Sequence, residues 1–104
     1  MGTKLIYPSL ELQHAGVSIG IHLAALMYRS GGGIEWDVFG SPDHPRNWLA
    51  IMGACQMVRR DAFEEVGGFD ESYLIAMSDV ALCMRIWRAG YRTAYTPYAC
   101  LVHH

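Results

Sequence analysis

The chain has 104 residues, enough for one domain with a modest core and too few for a large two-lobed enzyme. Hydrophobic residues make up 52% of it and charged residues only 17%, against a usual charged share of about 25%. This excess of apolar surface predicts packing against a partner, a second copy of the chain or a missing part of a larger domain. The net charge of −2, with eight Lys and Arg spread along the chain, argues against nucleic-acid binding.

The sequence predicts neither a membrane span nor an export signal. The longest apolar run, residues 16–28, is too short to cross a hydrocarbon layer of about 30 Å, and the first residues lack the regions of a signal peptide. Cys55, Cys83 and Cys100 are odd in number and have no metal-binding spacing, which predicts buried thiols in a reducing compartment. We therefore expect a cytoplasmic protein.

The first half of the chain carries weak signals for short strands. Residues 4–8 (KLIYP) and 16–21 (GVSIGI) predict two strands joined by a turn or short extended link. Residues 22–28 (HLAALMY) fit either a helical turn or a strand, and residues 29–33 (RSGGG) predict a flexible turn. The two prolines of residues 40–47 (GSPDHPRN) predict a surface loop.

The next stretch predicts a strand followed by a short helix. Residues 53–60 (GACQMVRR) alternate in the manner of a strand. Residues 61–68 (DAFEEVGG) predict a helix of about two turns, with Asp61 as N-cap, Glu64 in the capping-box position and Gly67 as the C-terminal cap.

A second helix and two strands complete the chain. Ser78 is the predicted cap of a helix that runs to about residue 89 and stops at Gly90. Its predicted buried face contains Val80, Cys83, Met84 and Trp87. Residues 91–97 predict a strand ended by Pro97, and residues 99–104 a last strand that ends in two histidines. This order of elements predicts an α/β fold, with α+β as the alternative.

Several motifs follow one another over residues 52–104. They are GAC-x-x-V-R-R-x-x-F-x-x-VGGFDE, DV-x-LC-x-R, AGYR and P-x-A-x-x-x-HH. In this order and spacing they resemble the C-terminal half of a family 2 glycosyltransferase domain, the inverting class with the GT-A fold. Upstream, residues 13–17 (QHAGV) resemble a segment that precedes this block in rhamnosyltransferase-like members. The resemblance implies one partial domain, residues 1–104, with a short mixed sheet and two helices but without the N-terminal nucleotide-binding half.

The resemblance assigns the catalytic base to Asp79. An inverting transfer needs a carboxylate that takes the proton of the acceptor hydroxyl as its oxygen attacks the anomeric carbon. Near a helix N-terminus the dipole favours a negative charge by about 0.3–1 kcal/mol. The alternative is that Asp79 only supports the start of the helix.

The resemblance also implies a divalent metal, Mn²⁺ or Mg²⁺, with His103 as one ligand. Such a metal stabilises the nucleoside diphosphate as it leaves, and imidazole is a suitable ligand beside carboxylates. His104 is the alternative ligand, because adjacent residues on a strand point to opposite faces. Without the resemblance, a histidine at a strand end is more often structural or merely exposed.

The turn that contains Gly67 and Gly68 is assigned to acceptor binding. Both glycines also suit a helix cap and a tight turn. Asp70 and Glu71 either hydrogen-bond acceptor hydroxyls or anchor the loop. The two arginines of the second helix, Arg85 and Arg88, are expected to pair with these acids and fix the loop, with contact to a substrate phosphate as the alternative. For Trp36, Trp48 and Trp87 we expect core packing, with stacking on sugar rings as the alternative.

The sequence departs from the family pattern at three points. Ser78 replaces the acid or Asn that commonly precedes the base, and Ala81 replaces a further acid two residues after it. The Asp-x-Asp metal motif of the N-terminal half has no equivalent, since residues 35–37 (EWD) lie too close to the GGFDE block.

Two classes of function follow from this pattern. The first is the acceptor and metal side of a transferase that moves a sugar from a nucleotide-sugar to a glycan, inactive or weak as an isolated chain and self-associating through its apolar face. The second is a non-catalytic binding or assembly module, or a folded gene fragment, that retains the fold.

Overall fold

The computed structural model describes residues 1–20, 24–26, 40–73 and 76–104. The predicted turn at residues 29–33, the EWD stretch and Trp36 lie outside the described residues. The described residues form two α-helices, α1 (Arg60–Glu65) and α2 (Ser78–Arg88), and a short 3₁₀ turn at Gly53–Cys55. No helix within the described ranges is long and apolar enough to cross a membrane.

The strands form a four-stranded mixed sheet and a separate two-stranded sheet. Their bounds are β1 (Gly2–Ile6), β2 (Leu12–His14), β3 (Val17–Ile19), β4 (Ala24–Leu26), β5 (Arg46–Trp48) and β6 (Thr93–Val102). The larger sheet has the order β2-β1-β6-β5, with β1 and β6 parallel and the other two pairs antiparallel, while β3 pairs with β4. The predicted small α/β fold with a short mixed sheet and two helices is confirmed.

Several predicted strands were wrong in extent. The link predicted before residue 16 contains β2, and the stretch predicted as a strand at residues 53–60 contains the 3₁₀ turn and the first residue of α1. The two strands predicted around Pro97 are one strand, β6. Pairing with β1 jumps from Thr96 to Cys100, so the proline lies in a bulge where its missing N–H breaks no ladder bond.

The core lies between the larger sheet and α2. Its fully buried side chains include Leu5, Ile51, Leu82, Cys83 and Tyr95. Tyr95 also donates from its hydroxyl to the carbonyl of Pro42 at 2.9 Å, which ties the loop before β5 to the sheet.

The buried face of α2 differs from the predicted one. Leu82, Cys83 and Ile86 are buried, whereas Trp87 is 44% exposed, so its predicted core position was wrong. Cys83 confirms the expected buried thiol, but Cys55 is half-buried and Cys100 is exposed. The localisation expected from the thiols therefore stays a prediction.

The helix ends are only partly as predicted. Arg59 occupies the N-cap position of α1, and its side chain makes no cap hydrogen bond. Asp61 lies inside the first turn, where it accepts the N–H of Ala62, so the predicted Asp61 cap is misplaced by two residues. In α2 the cap position belongs to Met77, and Ser78 is the first helical residue. The C-terminal signals were correct, because Gly67 (φ +79°) and Gly90 (φ +93°) adopt the left-handed conformation that glycine permits.

Candidate active site

Asp79 lies in the first turn of α2, and two backbone amides hold its carboxylate. Oδ1 accepts the N–H of Val80 at 2.8 Å, and Oδ2 accepts the N–H of Gly53 at 2.7 Å. A Cβ on residue 53 would lie 3.0 Å from the Cβ of Asp79, so the 3₁₀ turn approaches this closely because glycine has no side chain. The carboxylate is half-buried at the helix N-terminus, where a negative charge is favoured.

Gly53 also lines a cavity of about 300 Å³. The other lining residues are Gln56, Val58, Arg60, Phe63 and Phe69. The two phenylalanine rings meet edge to face with centroids 5.4 Å apart, and Phe69 is 51% exposed. One exposed and one half-buried aromatic ring in a cavity that Arg60 also lines suit a sugar or a sugar phosphate. A larger cavity of about 370 Å³ over Ile86 and Tyr91 is not lined by Gly53 and has a mostly apolar wall, so we place the chemistry at the smaller one.

The GGFDE turn is fixed to α2 by Arg85. Its guanidinium donates to the carbonyl of Val66 at 2.9 Å and to that of Gly68 at 2.6 Å. The predicted pairing of Arg85 with Asp70 or Glu71 is therefore wrong in its partners, although the arginine does hold the loop. Backbone carbonyls accept its N–H groups because the turn leaves them free at the helix C-terminus.

Asp70 anchors its own loop. Its Oδ1 accepts the N–H of Ser72 at 3.0 Å and the hydroxyl of Ser72 at 2.6 Å. These bonds hold the pKa of the Asp70 carboxyl below its ordinary value. Glu71 is exposed on the same loop. The structure thus supports the loop-anchoring alternative for Asp70, and acceptor contacts by either acid stay a prediction.

His103 extends the sheet and contacts Gln13. The backbone N–H of His103 donates to the carbonyl of Ile6 at 2.9 Å, and its ring Nδ1 lies 2.8 Å from Gln13 Oε1. An amide oxygen can only accept, so Nδ1 carries the ring proton in this arrangement and the lone pair is on Nε2. His104 is exposed at the end of the chain described.

His14 is a buried residue whose ring contacts the backbone next to Gly53. It is 1% exposed, and its Nε2 lies 3.3 Å from the N–H of Met52, the residue before Gly53. Burial lowers the pKa of the ring to about 4, and the nearby charge of Asp79 opposes that shift. His103 contacts Gln13, and the next residue, His14, contacts the N–H of Met52. Met52 precedes Gly53, whose N–H donates to Asp79.

The buried ring of His14 is expected to make stability depend on pH. The unfolded ring has an ordinary pKa near 6.5, above the folded value of about 4, so the unfolded state binds the proton more readily. Stability is kept above pH 6.5 and is lost as the pH falls toward 4. We expect about 2 kcal/mol of loss from this residue between pH 7 and pH 5. Urea unfolding at both pH values, for the natural chain and His14→Gln, measures it, and an equal pH dependence in both would contradict it.

Comparison with known proteins settles the family. The profile described as "Glycosyl transferase family group 2" matches residues 41–104. The chain belongs to this glycosyltransferase family. The resemblance inferred from the motifs is therefore confirmed.

The relatives of this family 2 chain are much longer than the chain itself. The O-antigen biosynthesis protein RfbC of Myxococcus xanthus is 39% identical over 106 residues, covering 100% of this chain and 8% of that protein. The N-acetylglucosaminyl-diphospho-decaprenol L-rhamnosyltransferase of Mycobacterium tuberculosis is 47% identical over 62 residues, 60% of this chain and 20% of that protein. Rhamnosyltransferase WbbL of Escherichia coli is 36% identical over 58 residues, 56% of this chain and 21% of that protein. No solved structure matches the chain.

Among the described residues, His103 is the candidate ligand for the metal implied by the family, with His104 as the alternative. Nε2 of His103 suits that role, because Gln13 orients the ring in the way that a second shell orients a metal-bound histidine. Among residues 1–20, 40–73 and 76–104, no group of three His, Cys, Asp or Glu side chains could hold a metal ion. The described residues therefore fit one position of a metal site and leave the others to be supplied.

Three participants were not predicted from the sequence. They are the N–H of Gly53, the ring of His14 and the amide of Gln13. The QHAGV segment that contains two of them was noted for its resemblance, but it was given no role. The Gly53 contact joins residues 26 positions apart through a backbone atom, so no side-chain pattern signals it.

Proposed function

We propose that this chain forms the acceptor side of an inverting sugar-transfer site. Asp79 takes the proton of an acceptor hydroxyl while that oxygen bonds to the anomeric carbon of a nucleotide-sugar. The bond from that carbon to the nucleoside diphosphate breaks, and the diphosphate leaves with the electron pair. The observation that carries the proposal is the half-buried Asp79 carboxylate, oriented by two backbone amides at a helix N-terminus. Membership of the family supports sugar transfer as the reaction class.

The acceptor is proposed to lie between Asp79 and the GGFDE turn. Phe63 and Phe69 offer apolar surface to a sugar ring, and Arg60, which also lines that cavity, offers a positive charge. Glu71 is exposed, and its carboxylate can accept hydrogen bonds from hydroxyl groups. Two relatives are named as rhamnosyltransferases, so a nucleotide-activated rhamnose is the first donor to test.

A divalent metal is proposed to assist the leaving group. When bound, Mn²⁺ or Mg²⁺ would neutralise charge on the diphosphate. The contribution of this chain is the lone pair of His103 Nε2, held in place by the bond of Nδ1 to Gln13. The remaining ligands are proposed to come from a nucleotide-binding half, which would raise donor affinity and transfer rate above the weak values expected of this chain alone.

Titration calorimetry with a nucleoside diphosphate and Mn²⁺ tests this assignment. We expect metal-dependent binding that weakens at least 10-fold in His103→Ala, because imidazole is a direct ligand. His104→Ala is the matched control and should bind as the natural chain does. Equal binding by all three proteins would remove His103 from the metal site. A loss confined to His104→Ala would assign the ligand to that neighbour instead.

Self-association is proposed through the second half of β6. Within the described residues, β5 pairs with β6 at Thr93–Tyr95, and beyond this Tyr98, Leu101 and Val102 are exposed by 83%, 49% and 47%. An exposed apolar strand is a template for pairing with another chain. Light scattering is expected to show a dimer or larger species for the natural chain and a smaller one for Leu101→Lys. A monomer at all concentrations would contradict this.

A further inference from the structure

The catalytic proposal leaves the buried His14 without a role. It is 1% exposed and closes β2, where Leu12 and His14 pair with consecutive residues of β1 and Gln13 forms a bulge. Bulges of this kind re-aim side chains next to functional sites. Each ring nitrogen of His14 faces a backbone N–H, that of Met52 at 3.3 Å from Nε2 and that of Gly16 at 3.4 Å from Nδ1.

Met52 and Gly53 are consecutive, and their backbone N–H groups face two different polar side chains, those of His14 and Asp79. The N–H of Met52 points at His14, and the N–H of Gly53 donates to Asp79. The backbone at Met52 is extended (φ −68°, ψ 135°), and the 3₁₀ turn begins with the next residue. Fixing the amide of Met52 therefore limits the directions in which the amide of Gly53 can point.

We propose that His14 is a positioning residue for Asp79. Its neutral ring accepts the N–H of Met52 through Nε2 and holds the backbone so that the N–H of Gly53 meets the carboxylate. The importance of that carboxylate for transfer rests on the proposed function, whereas the hydrogen-bond arrangement does not. His14 itself touches no reacting atom in this scheme.

The state of the ring follows from its surroundings. Burial keeps it neutral at pH 7, and the Asp79 charge is too weak to reverse this. A neutral imidazole has one N–H and one lone pair, so it can accept only one of the two amides that face it. The proposal assigns the lone pair to Nε2, which lies 3.3 Å from the backbone nitrogen of Met52, and the proton to Nδ1, which lies 3.4 Å from that of Gly16.

The natural chain supplies the first test. Nitrogen NMR of the His14 ring at pH 7 is expected to show Nδ1 in the protonated range and Nε2 in the unprotonated range. A protonated Nε2 would overturn the proposal, because that atom could not accept the N–H of Met52. This measurement needs no substitution and no enzymatic activity.

Two substitutions separate the ring nitrogens. The side-chain amide of Gln reaches the position of Nε2, whereas that of Asn reaches only that of Nδ1. We expect His14→Gln to keep the amide protons of Met52 and Gly53 protected from hydrogen exchange, and His14→Asn to speed their exchange about 5–10-fold. The exchange of Val80, whose amide also bonds Asp79, is the internal reference. Equal protection at residues 52 and 53 in both variants would overturn the proposal.

Transfer kinetics then separate positioning from stability. His14→Asn is expected to lower kcat about 10-fold with little change in KM, and His14→Gln to restore it, because the carboxylate and not the substrate is misplaced. If the exchange pattern is as expected but transfer is absent even in the natural chain, the proposed function has failed and the positioning contact stands. If transfer is present and both variants keep full kcat, the positioning role has failed and the function stands.

Discussion

Asp79→Asn is expected to lower the rate of sugar transfer by about 10²–10⁴-fold, the usual contribution of a general base. Asparagine keeps the shape of the side chain, and its single carbonyl oxygen can accept one of the two backbone amides. It cannot take the proton of the acceptor hydroxyl. The fold should therefore survive while the chemistry is lost. The measurement is release of nucleoside diphosphate from nucleotide-sugars in the presence of glycan acceptors, with binding of the nucleotide followed separately.

Asp61→Asn is the matched control for this prediction. Like Asp79 it is the second residue of an α-helix, and its Oδ1 accepts the N–H of the next residue, at 2.9 Å. It differs in pairing with Arg59 on the surface, where an ion pair contributes little to stability. Transfer by Asp61→Asn should be unchanged. Full activity in Asp79→Asn would reject the base assignment and leave the helix-supporting role.

If Asp79 only supports its helix, both substitutions should have similar small effects. Each would remove a first-turn negative charge near a helix N-terminus, a loss of about 0.3–1 kcal/mol. Urea unfolding of the two variants measures this directly. If Asp79→Asn loses activity that Asp61→Asn keeps, while both variants lose the same stability, then Asp79 acts in catalysis and not only at the helix end. The sequence alone does not distinguish these two roles.

The features that the sequence predicted correctly are set by residues close to them along the chain. The end of α2 at Gly90 and the turn at Gly67 follow from glycine in a left-handed conformation, which is a property of one residue and its neighbours. Position 79 could be singled out because a motif with fixed spacing contains it. In each case the signal lies within a few residues of the feature.

The features that were missed depend on distant pairing. Strand β2 has three residues and exists because β1 pairs with it, so its own composition carries little signal. Residues 53–60 alternate like a strand, but among the described residues their only β pairing is the isolated bridge from Gln56 to Gly2. Asp79 accepts the N–H of Gly53, and His14 accepts that of the adjacent Met52. Three segments that are distant in the sequence meet at these contacts. Such contacts become visible only when the chain is folded.

Gly16→Ala is expected to have the largest effect on stability, a loss of roughly 2–5 kcal/mol. Gly16 has φ +135°, and a Cβ there would lie 2.2 Å from Nε1 of Trp48 and 2.3 Å from Cε2. The added methyl group thus meets both a strained backbone and an indole ring packed against the core residues Ala15 and Tyr95. Since domains of this kind are stable by about 5–15 kcal/mol, the variant should unfold at much lower urea concentration and temperature.

Two further variants separate the causes of that loss. Gly90→Ala carries backbone strain alone, because φ is +93° and no atom lies within 4 Å of the added Cβ, so it should cost only about 1–2 kcal/mol. Replacing the ring in Gly16→Ala/Trp48→Leu should remove the overlap, and the double variant should lose less than the sum of its single losses. Additive losses would mean that the ring already yields to the methyl group. A non-additive result would show that Trp48 is coupled in energy to residue 16, which follows His14 by two residues.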